Sequence, residues 1–399
     1  MRSDFRFQLP PELEAPAPPE GRGLRRDQVR LLLIDPVTGE VGHHRFHDLP
    51  GLLDPGDLLV VNDSRTLPAS LLARTADGQA LELRLAGRDP EPAHHPQLQQ
   101  AAAGAAGAGD RWAALPLGVP PDGGDPALVP TDARPPAPPL PPGMQLRFAG
   151  GLRATVLGPH EEAPPLVWLA FDRGGGALVE ALHRAGRPVR YAYVPRPWAL
   201  HHYQTLFAAA PGSVEMASAG RPFTLQTLRE LRSRGVGLAT ISLHAGLSTY
   251  GDPEVDRRFV PAEPYRVPAA TAEAVARCRA AGGRVVAVGT TVVRTLETAV
   301  ARGGGRVVPG AGVTRLRIAP GHQLAAVDGL LTGLHEPQAS HLDLLGAFVT
   351  PAVLHAAYDQ ALAAGYLWHE FGDVSLILPA RRAGGGVRPP DADAVRPSR

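Results

Sequence analysis

The residues with the clearest chemical potential lie in one stretch, 282–297. Its apolar run at 284–288 predicts a short buried strand, and Gly289 ends that strand. Thr290 and Thr291 then stand where a helix begins, so the turn would offer backbone N–H groups and hydroxyls to a ligand. A plain strand-to-helix turn with capping threonines has the same pattern, and spacing alone does not separate these interpretations.

Arg294 lies one turn into the helix that this stretch predicts. Its guanidinium could pair with Glu297, three residues later on the same helix surface. It could equally hold the carboxylate of a ligand through two parallel hydrogen bonds. Both interpretations stay open on the sequence alone.

His244 follows the predicted strand 236–243, and His335 lies in the polar cluster 328–337; both clusters are of the kind that α/β proteins place at ligand sites. An imidazole has an ordinary pKa of ~6.5, which suits proton transfer at neutral pH. Each histidine could instead simply bond a loop carbonyl, and 328–337 could be a hairpin with incidental polar residues. The neighbouring residues that could contact a ligand are Gly246, Thr249, Asp328 and Thr332, with Asn62, Arg65 and Asp373 at other predicted strand ends.

The bulk composition excludes several classes of protein. The net charge of +1 gives no global signature of nucleic-acid binding, although a local basic patch is not excluded. All 40 basic residues are arginine, so lysine Schiff-base and lysine-base chemistry are excluded. The single cysteine, Cys278, forbids an internal disulfide and a cysteine zinc site. With a charged N-terminus and no long apolar segment, the chain is expected to be cytoplasmic and not membrane-bound.

Alternating apolar runs and amphipathic segments predict an α/β domain with a mainly parallel sheet and flanking helices. Strict alternation within 70–171 predicts a smaller β-barrel domain. An insertion rich in Ala, Gly and Pro, at about 87–142, is expected to be disordered apart from one strand near Trp112. The predicted domains are 1–69 and 172–380 for the α/β part, 70–171 for the barrel and 381–399 for a disordered tail. Predicted strands are 29–35, 40–46, 57–62, 236–243, 284–288, 314–318 and 374–378, and predicted helices are 177–185, 224–234, 269–281, 290–302, 342–350 and 351–364.

Several well-known motifs are absent from the sequence. It has no dinucleotide-binding G-x-G-x-x-G before a helix, no phosphate loop, no H-E-x-x-H and no G-x-S-x-G elbow. Histidine pairs occur at 43–44, 94–95 and 201–202, in predicted loops or edges where a metal site is not favoured. No metal is therefore expected.

Taken together, the polar stretches resemble the S-adenosylmethionine:tRNA ribosyltransferase-isomerase family of queuosine biosynthesis. The resemblance covers about three quarters of the chain. It is clear over 55–65, close over 243–249 and closest over 282–297. Further matching segments are 4–5, 9–10, 30–32, 203–205, 212–214, 219–220, 223–224, 320–321, 327–332, His335, Pro337 and 372–373.

The resemblance implies a barrel joined to an α/β domain and a specific reaction. S-adenosylmethionine serves as co-substrate, and its ribosyl group passes to a 7-aminomethyl-7-deazaguanine at the tRNA wobble position. The products are epoxyqueuosine-tRNA, adenine and methionine. By this resemblance His244, His335 and Glu263 are the candidate catalytic residues, the anticodon region of tRNA is the expected partner, and the protein is expected to be a monomer. The expected substrate-binding residues are Asn62, Arg65, Tyr203, Gln204, Gly246, Thr249, Gly289, Thr290, Thr291, Arg294, Asp328, Thr332 and Asp373.

The chain departs from the family pattern at several polar positions. Two family histidines are Pro222 and Pro261 here, and a family Asn-Phe-His-Leu-Pro-Lys-Ser segment reads 333–339 without its asparagine and lysine. Each lost cation weakens the binding of tRNA phosphates, so three hypotheses about the function stay open. The chain is a divergent tRNA-modifying enzyme, a paralogue that uses sulfonium-nucleoside chemistry on a small molecule, or a nucleoside-binding protein without catalysis.

Overall fold

A computed structural model describes most of the chain. The tail at 381–399 and much of the Ala/Gly/Pro-rich insertion, both predicted to be disordered, lie outside the described residues. The strand expected near Trp112 is present. The described residues are 7–91, 109–120, 129, 133–337 and 339–380.

The helices and strands agree with most of the sequence-based expectations. Short 3₁₀ turns at Pro19–Arg22, Leu200–Tyr203 and Ser218–Gly220 lie between them. The α-helices are α1 Leu49–Leu52, α2 Gly175–Ala185, α3 Leu225–Ser233, α4 Pro253–Arg258, α5 Ala269–Ala280, α6 Thr290–Arg302, α7 Ser340–Leu345 and α8 Pro351–Ala363. The strands are β1 Arg30–Ile34, β2 Val41–Arg45, β3 Leu58–Asn62, β4 Ser64–Thr66, β5 Ser70–Arg74, β6 Ala80–Arg88, β7 Arg111–Gly118, β8 Gln145–Phe148, β9 Arg153–Pro159, β10 Val167–Phe171, β11 Gly186–Arg187, β12 Ala210–Ser213, β13 Gly237–Leu243, β14 Glu263–Val267, β15 Val285–Val288, β16 Gly310–Thr314, β17 Gly329–Gly333 and β18 Val374–Ile377.

The larger sheet has nine strands in the order β16-β14-β13-β3-β15-β17-β18-β1-β2. Its four central strands, β13, β3, β15 and β17, run parallel. Antiparallel pairs at β13–β14, β17–β18 and β1–β2 make the sheet mixed as a whole. Parallel strands buried on both faces are apolar throughout, as in β3 and β15. All four central strands therefore end at one common edge.

Helices cover both faces of this sheet. On one face, α5, α6 and α8 bury their apolar stripes, and α6 contributes Val292, Val293 and Leu296. Their spacing of one and four residues is that of a single helix face. The opposite face is covered by α1, α3 and nearby turns, where Phe46 packs edge-on against Phe223 with ring centroids 4.9 Å apart. The predicted α/β architecture is confirmed.

The smaller sheet closes into a six-stranded antiparallel barrel. Its order is β5-β6-β7-β10-β9-β8, and the pairing of β8 with β5 closes it, while β11 adds to β5. Leu81, Leu83 and Leu85 are fully buried, as the alternation in β6 predicts. Closure leaves the barrel strands without an open edge at that seam. The predicted β-barrel is confirmed.

Two predicted elements are wrong in their bounds. The strand expected at 314–318 is β16, which ends at Thr314, because the Thr314 hydroxyl accepts a hydrogen bond from the Leu316 amide at 3.1 Å and turns the chain. The helix expected at 342–350 ends at Leu345, since Thr350 instead begins the next helix by capping Val353 N. Strand β14 was missed because Pro264 lies inside it, which usually argues against a strand.

An ion pair at the amino edge of the sheet offers a test of the fold. The Asp57 carboxylate accepts hydrogen bonds from the backbone N of Arg284 at 3.0 Å and from its guanidinium at 3.2 Å. These bonds join the start of β3 to the start of β15. The Asp57 side chain has 0% exposure and that of Arg284 has 11%.

We expect Asp57→Ala to lower the free energy of unfolding by about 3 kcal/mol, because it leaves a largely buried guanidinium without its main partner. Urea denaturation of the full chain measures this loss. The control is Glu273→Ala, which removes the exposed Glu273–Arg277 pair, 3.6 Å apart, and should change stability by less than about 0.5 kcal/mol. Equal losses in the two variants would contradict the prediction.

Candidate functional site

The candidate site lies at the edge where the four central parallel strands end. The structure brings together Asn62 at the end of β3, His244 just after β13, the turn 289–291 after β15, and Thr332 near the end of β17. Neighbouring strands are about 4.8 Å apart. His244 follows β13 and His335 follows β17, and three strand spacings separate these two strands. The two histidines therefore lie at opposite ends of the row of strand ends and do not form one pair.

Asn62 connects three of these strand ends. Its Nδ2 donates to the Leu243 carbonyl at 2.9 Å and to Thr291 Oγ1 at 3.3 Å. Its Oδ1 accepts from the backbone N of Ser64 and of Leu243, both at 3.0 Å. Asn62 therefore satisfies the backbone where β3 and β13 diverge. Its predicted contact with substrate remains a prediction, because every polar atom of the side chain already has a protein partner.

The start of α6 is built as the sequence predicts. Gly289 has a φ of +95°, a conformation that favours glycine, and it leaves room beside the Ala219 side chain. Its carbonyl accepts from the amides of Val292 and Val293. Helix geometry leaves the first amides, on Thr290 and Thr291, without intrahelical acceptors. These N–H groups and the partial positive charge of the helix end suit an anionic or electron-rich ligand group.

Arg294, on α6, is held by two contacts from outside its own helix. Its Nη1 donates to Glu263 Oε2, and its Nε donates to the Leu316 carbonyl at 2.9 Å. Its Nη2 is buried and has no hydrogen-bond partner among the described residues. The anticipated pair with Glu297 does not form, because the Glu297 carboxylate accepts the amides of Ala325 and Ala326 instead. One donor face of the guanidinium is thus left for a ligand.

Glu263 has a defined structural task. Besides Arg294, its carboxylate accepts from the backbone N of Gly246 at 3.2 Å. Gly246 in turn packs against the barrel so closely that a Cβ there would lie 2.3 Å from the Ala86 carbonyl oxygen. Glu263 therefore orients Arg294 and fixes the loop after β13. A catalytic role for Glu263 remains a prediction.

His335 lies in a buried cluster of aromatic rings. Its Nε2 is 3.0 Å from Thr332 Oγ1, and its ring stacks on His341 with centroids 4.7 Å apart. Burial, and then the neighbouring His341, hold the pKa of His335 well below its ordinary value. His335 is accordingly neutral near pH 7, as a proton acceptor must be.

A group of residues that the sequence did not single out lines the same region. The Tyr193 and His369 rings stack with centroids 3.8 Å apart, and the Tyr193 hydroxyl donates to Glu370. Although burial opposes it, the ion pair with Glu336, at 3.2 Å, raises the pKa of His369. The only sequence signal was the departure from the family pattern at 333–339, which places a glutamate at position 336. A cleft here is lined by residues that include Ser218, Arg221, Gly333, Glu370 and Asp373.

A second carboxylate, that of the half-buried Glu215, lies beside this group. It accepts hydrogen bonds from the Tyr191 hydroxyl and from the backbone N and Oγ of Ser248, the latter two at 3.0 Å. Burial raises the pKa of Glu215. Tyr191 and Tyr193 stack with centroids 5.8 Å apart, which links the two carboxylates through aromatic rings.

Two predicted binding residues are committed to backbone contacts elsewhere. Asp328 lies before β17, at the opposite edge of the sheet from Thr332, and accepts from the Val285 amide at 2.8 Å. The structure does not bring it to the other candidates. Asp373 does border the cleft, but its two oxygens accept from the amides of Arg30 and Leu367 at 2.7 and 2.8 Å. It fastens β18 to β1.

The remaining predicted residues surround the site without meeting at one point. Gln204 makes two hydrogen bonds with the backbone of Thr66, at 3.1 and 2.8 Å. Tyr203 is buried against Phe371, and its hydroxyl has no partner among the described residues. Thr249 donates to Asp256 at 2.7 Å. Arg65 is exposed on β4.

Comparison with known proteins identifies the chain's relatives. The model of the family described as queuosine biosynthesis protein matches residues 2–377. The chain belongs to this family. The S-adenosylmethionine:tRNA ribosyltransferase-isomerase of Anaeromyxobacter dehalogenans is 40% identical over 383 residues, which are 94% of this chain and 99% of the relative. That of Thermus thermophilus is 37% identical over 94% of this chain and 98% of its own length.

A solved structure is also similar to this member of the queuosine biosynthesis family. It is the crystal structure of S-adenosylmethionine tRNA ribosyltransferase from Thermotoga maritima, 29% identical, covering 94% of this chain and 100% of that chain with a TM-score of 0.49.

Among the described residues no helix is long and apolar enough to cross a membrane. In the same part of the chain, no group of three His, Cys, Asp or Glu side chains is placed to hold a metal.

The stacked histidines predict a pH dependence of stability. Burial, and then the nearby Arg294 charge, lower the pKa of His341 to about 4. An unfolded histidine has a pKa of ~6.5, so between these values the unfolded chain binds the extra proton and stability falls as pH falls. We expect His341→Leu to remove this contribution, about 3 kcal/mol over the full window.

Urea denaturation at pH 7 and pH 4.5 measures the difference between wild type and variant. The control is His183→Leu, which replaces an exposed histidine on α2 and should leave the pH dependence as it is in wild type. A wild-type slope that persists in His341→Leu would show that other groups cause it.

Proposed function

We propose that this chain is an S-adenosylmethionine:tRNA ribosyltransferase-isomerase. It transfers the ribosyl group of S-adenosylmethionine to 7-aminomethyl-7-deazaguanine in tRNA and isomerises it, which yields epoxyqueuosine-tRNA, adenine and methionine. The observation that carries this proposal is the similarity, at 40% identity over nearly the whole length, to a relative that bears this name. The arrangement of the candidate site supports it.

The reaction makes three demands on the protein. A base must remove a proton from C5′, which the adjacent sulfonium acidifies; the departing adenine must gain a proton; and the methionine carboxylate must be anchored. The buried, unpartnered Nη2 of Arg294 supports its assignment as the carboxylate anchor. His244 and His335, at the two ends of the row, are the proposed proton-transfer groups. Thr290, Thr291 and the free amides of α6 line the space between them.

Acidic residues at and near the cleft suit positively charged substrates. Glu370 lines the cleft, half-buried Glu215 and exposed Glu336 lie near it, and both the sulfonium donor and an aminomethyl acceptor carry positive charge. Pairing with His369 lowers the pKa of Glu336 and keeps it ionised at neutral pH. These carboxylates would attract the reacting cations but would repel phosphates.

A second candidate function is favoured by the residues at positions 336 and 338. Glu336 stands where the family pattern has leucine, and Gln338 stands where it has lysine. The site therefore carries more negative charge than the pattern predicts. A paralogue that transfers from S-adenosylmethionine to a cationic small molecule would fit this change, since it needs no phosphate contacts.

Adenine release tests the proposal and separates the two functions. Purified protein is incubated with S-adenosylmethionine, with tRNA bearing the aminomethyl-deazaguanine base or without it, and adenine is followed by chromatography. We expect release only with the modified tRNA, and tRNA binding that weakens steeply with salt. The control is the same tRNA with unmodified guanine. Release without tRNA would favour the paralogue, and no release with the modified tRNA would contradict the proposed function.

The role of Arg294 predicts a selective effect on ligands. Arg294→Lys keeps a positive charge for Glu263 but has a single nitrogen, so it loses the separate donor that Nη2 would offer to a carboxylate. We expect S-adenosylhomocysteine, which has the amino-acid carboxylate, to inhibit the variant at least about tenfold more weakly. Methylthioadenosine, which lacks it, should inhibit both proteins equally. Equal weakening of the two inhibitors would assign Arg294 a structural role only.

A further inference from the structure

Two buried serines connect to the imidazole of His244. Ser64 Oγ lies 2.7 Å from His244 Nδ1, and Ser213 Oγ lies 2.6 Å from Ser64 Oγ. Both serines are almost inaccessible, with relative exposures of 2% and 1%. Ser64 lies on β4 and Ser213 on β12, and these two strands pair in parallel. The three side chains form one continuous hydrogen-bonded row.

The direction of this row follows from counting donors and acceptors. The backbone N–H of Ala245 donates to Ser213 Oγ at 3.0 Å. The Ser213 hydroxyl hydrogen then has two acceptors in reach, Ser64 Oγ at 2.6 Å and the Leu243 carbonyl at 3.5 Å. That carbonyl already accepts from Asn62 at 2.9 Å, and 3.5 Å is a poor hydrogen-bond distance. Ser213 therefore donates to Ser64.

The same count fixes the protonation of the imidazole. A hydroxyl has one hydrogen, so Ser64, which accepts from Ser213, gives its own hydrogen to His244 Nδ1. A neutral imidazole with an acceptor at Nδ1 carries its hydrogen on Nε2. Burial and the distant Arg88 charge lower the pKa of His244, while Asp63 acts in the opposite direction. The ring is thus neutral near pH 7.

Backbone contacts hold the ring in place along this row. A Cβ on Gly212 would lie 2.6 Å from the imidazole, so the ring rests directly on the glycine backbone. The His244 amide donates to the Pro264 carbonyl at 3.1 Å. No hydrogen bond to His244 Nε2 forms within the described part of the chain, so this nitrogen faces away from the serines.

We propose that Ser213 and Ser64 are positioning residues that hold His244 in its Nε2–H form, so that His244 meets the substrate as a hydrogen-bond donor and not as the base. This inference rests on the proposed function for the identity of the substrate, a nucleoside with acceptor nitrogens and oxygens. Proton removal from C5′ would then fall to His335, the other neutral histidine of the site.

Nitrogen-15 NMR of histidine-labelled protein tests the inference without substrate. The His244 signals are assigned by their loss in His244→Gln. At pH 7.5 we expect one neutral ring with a protonated Nε2 and a bare Nδ1. A protonated Nδ1 with a bare Nε2, or an imidazolium, would overturn the proposal. This readout does not need turnover, so an inactive protein with the expected tautomer would refute the proposed function and leave the tautomer assignment standing.

Ser64→Ala tests whether the row sets the tautomer. We expect the Nδ1 and Nε2 signals to move toward a mixture of the two neutral forms, and kcat for adenine release to fall about tenfold or more with little change in KM. The matched control is Ser375→Ala, which removes a fully buried hydroxyl that has no partner among the described residues. It should leave the tautomer and kcat unchanged. An unaltered Nε2–H form in Ser64→Ala would overturn the role of the serines.

Discussion

The arrangement of the site depends on how the ends of the central parallel strands are satisfied. Where β3 and β13 diverge, their backbone groups lose the partners that the sheet supplies, and buried groups without partners are costly. The Asn62 side chain replaces those partners on both strands and also reaches the first turn of α6. One amide thereby sets the positions of His244 and Thr291 relative to each other. Asn62 also contacts the first residue of the serine row, through the Ser64 amide, and the N-terminal turn of α6, through Thr291.

The site combines many ionisable groups, most of them partly buried. Its carboxylates accept hydrogen bonds from tyrosine hydroxyls at Glu215 and Glu370, and Glu336 pairs with His369. Burial lowers the pKa of both His335 and His341, helped by the neighbouring His341 at His335 and by the Arg294 charge at His341. Such preorganised dipoles act strongly in a site that excludes water. Arg294, whose Nη2 has no partner among the described residues, and the exposed Glu336 are charged groups suited to the two charged ends of an amino-acid sulfonium.

Local sequence signals predicted most of the framework. Runs such as β3 and β15 are apolar because both of their faces are buried, and α6 was predicted with its exact start because Gly289 and two threonines mark it. The barrel followed from strict alternation in β6, β8 and β9. The failures have two separate causes, a local turn at the end of β16 and a proline inside β14. Thr314 ends its strand by turning back on Leu316, and Pro264 is accepted inside β14.

The candidate residues divide in the same way. Topology brings the ends of the parallel strands together, which explains why His244, just after β13, and Thr332, near the end of β17, lie at the same edge of the sheet. Asp328 precedes its strand and so lies at the far edge, a distinction that a motif match does not make. The pairing of Arg294 with Glu263, 31 positions away in sequence, could not be read from helix spacing, which favoured Glu297. The Tyr193–His369 stack joins positions too distant for any local pattern.

The close approach of Gly246 to the barrel has a mechanical consequence. The Ala86 carbonyl on β6 touches Gly246, Gly246 donates to Glu263, and Glu263 holds Arg294. Beyond Gly246, two noncovalent contacts connect the barrel sheet to the Arg294 guanidinium: Gly246 with Glu263, and Glu263 with Arg294. Both involve the buried Glu263 carboxylate. A displacement of β6 relative to the larger sheet would therefore act on the position of Arg294 through Gly246 and Glu263.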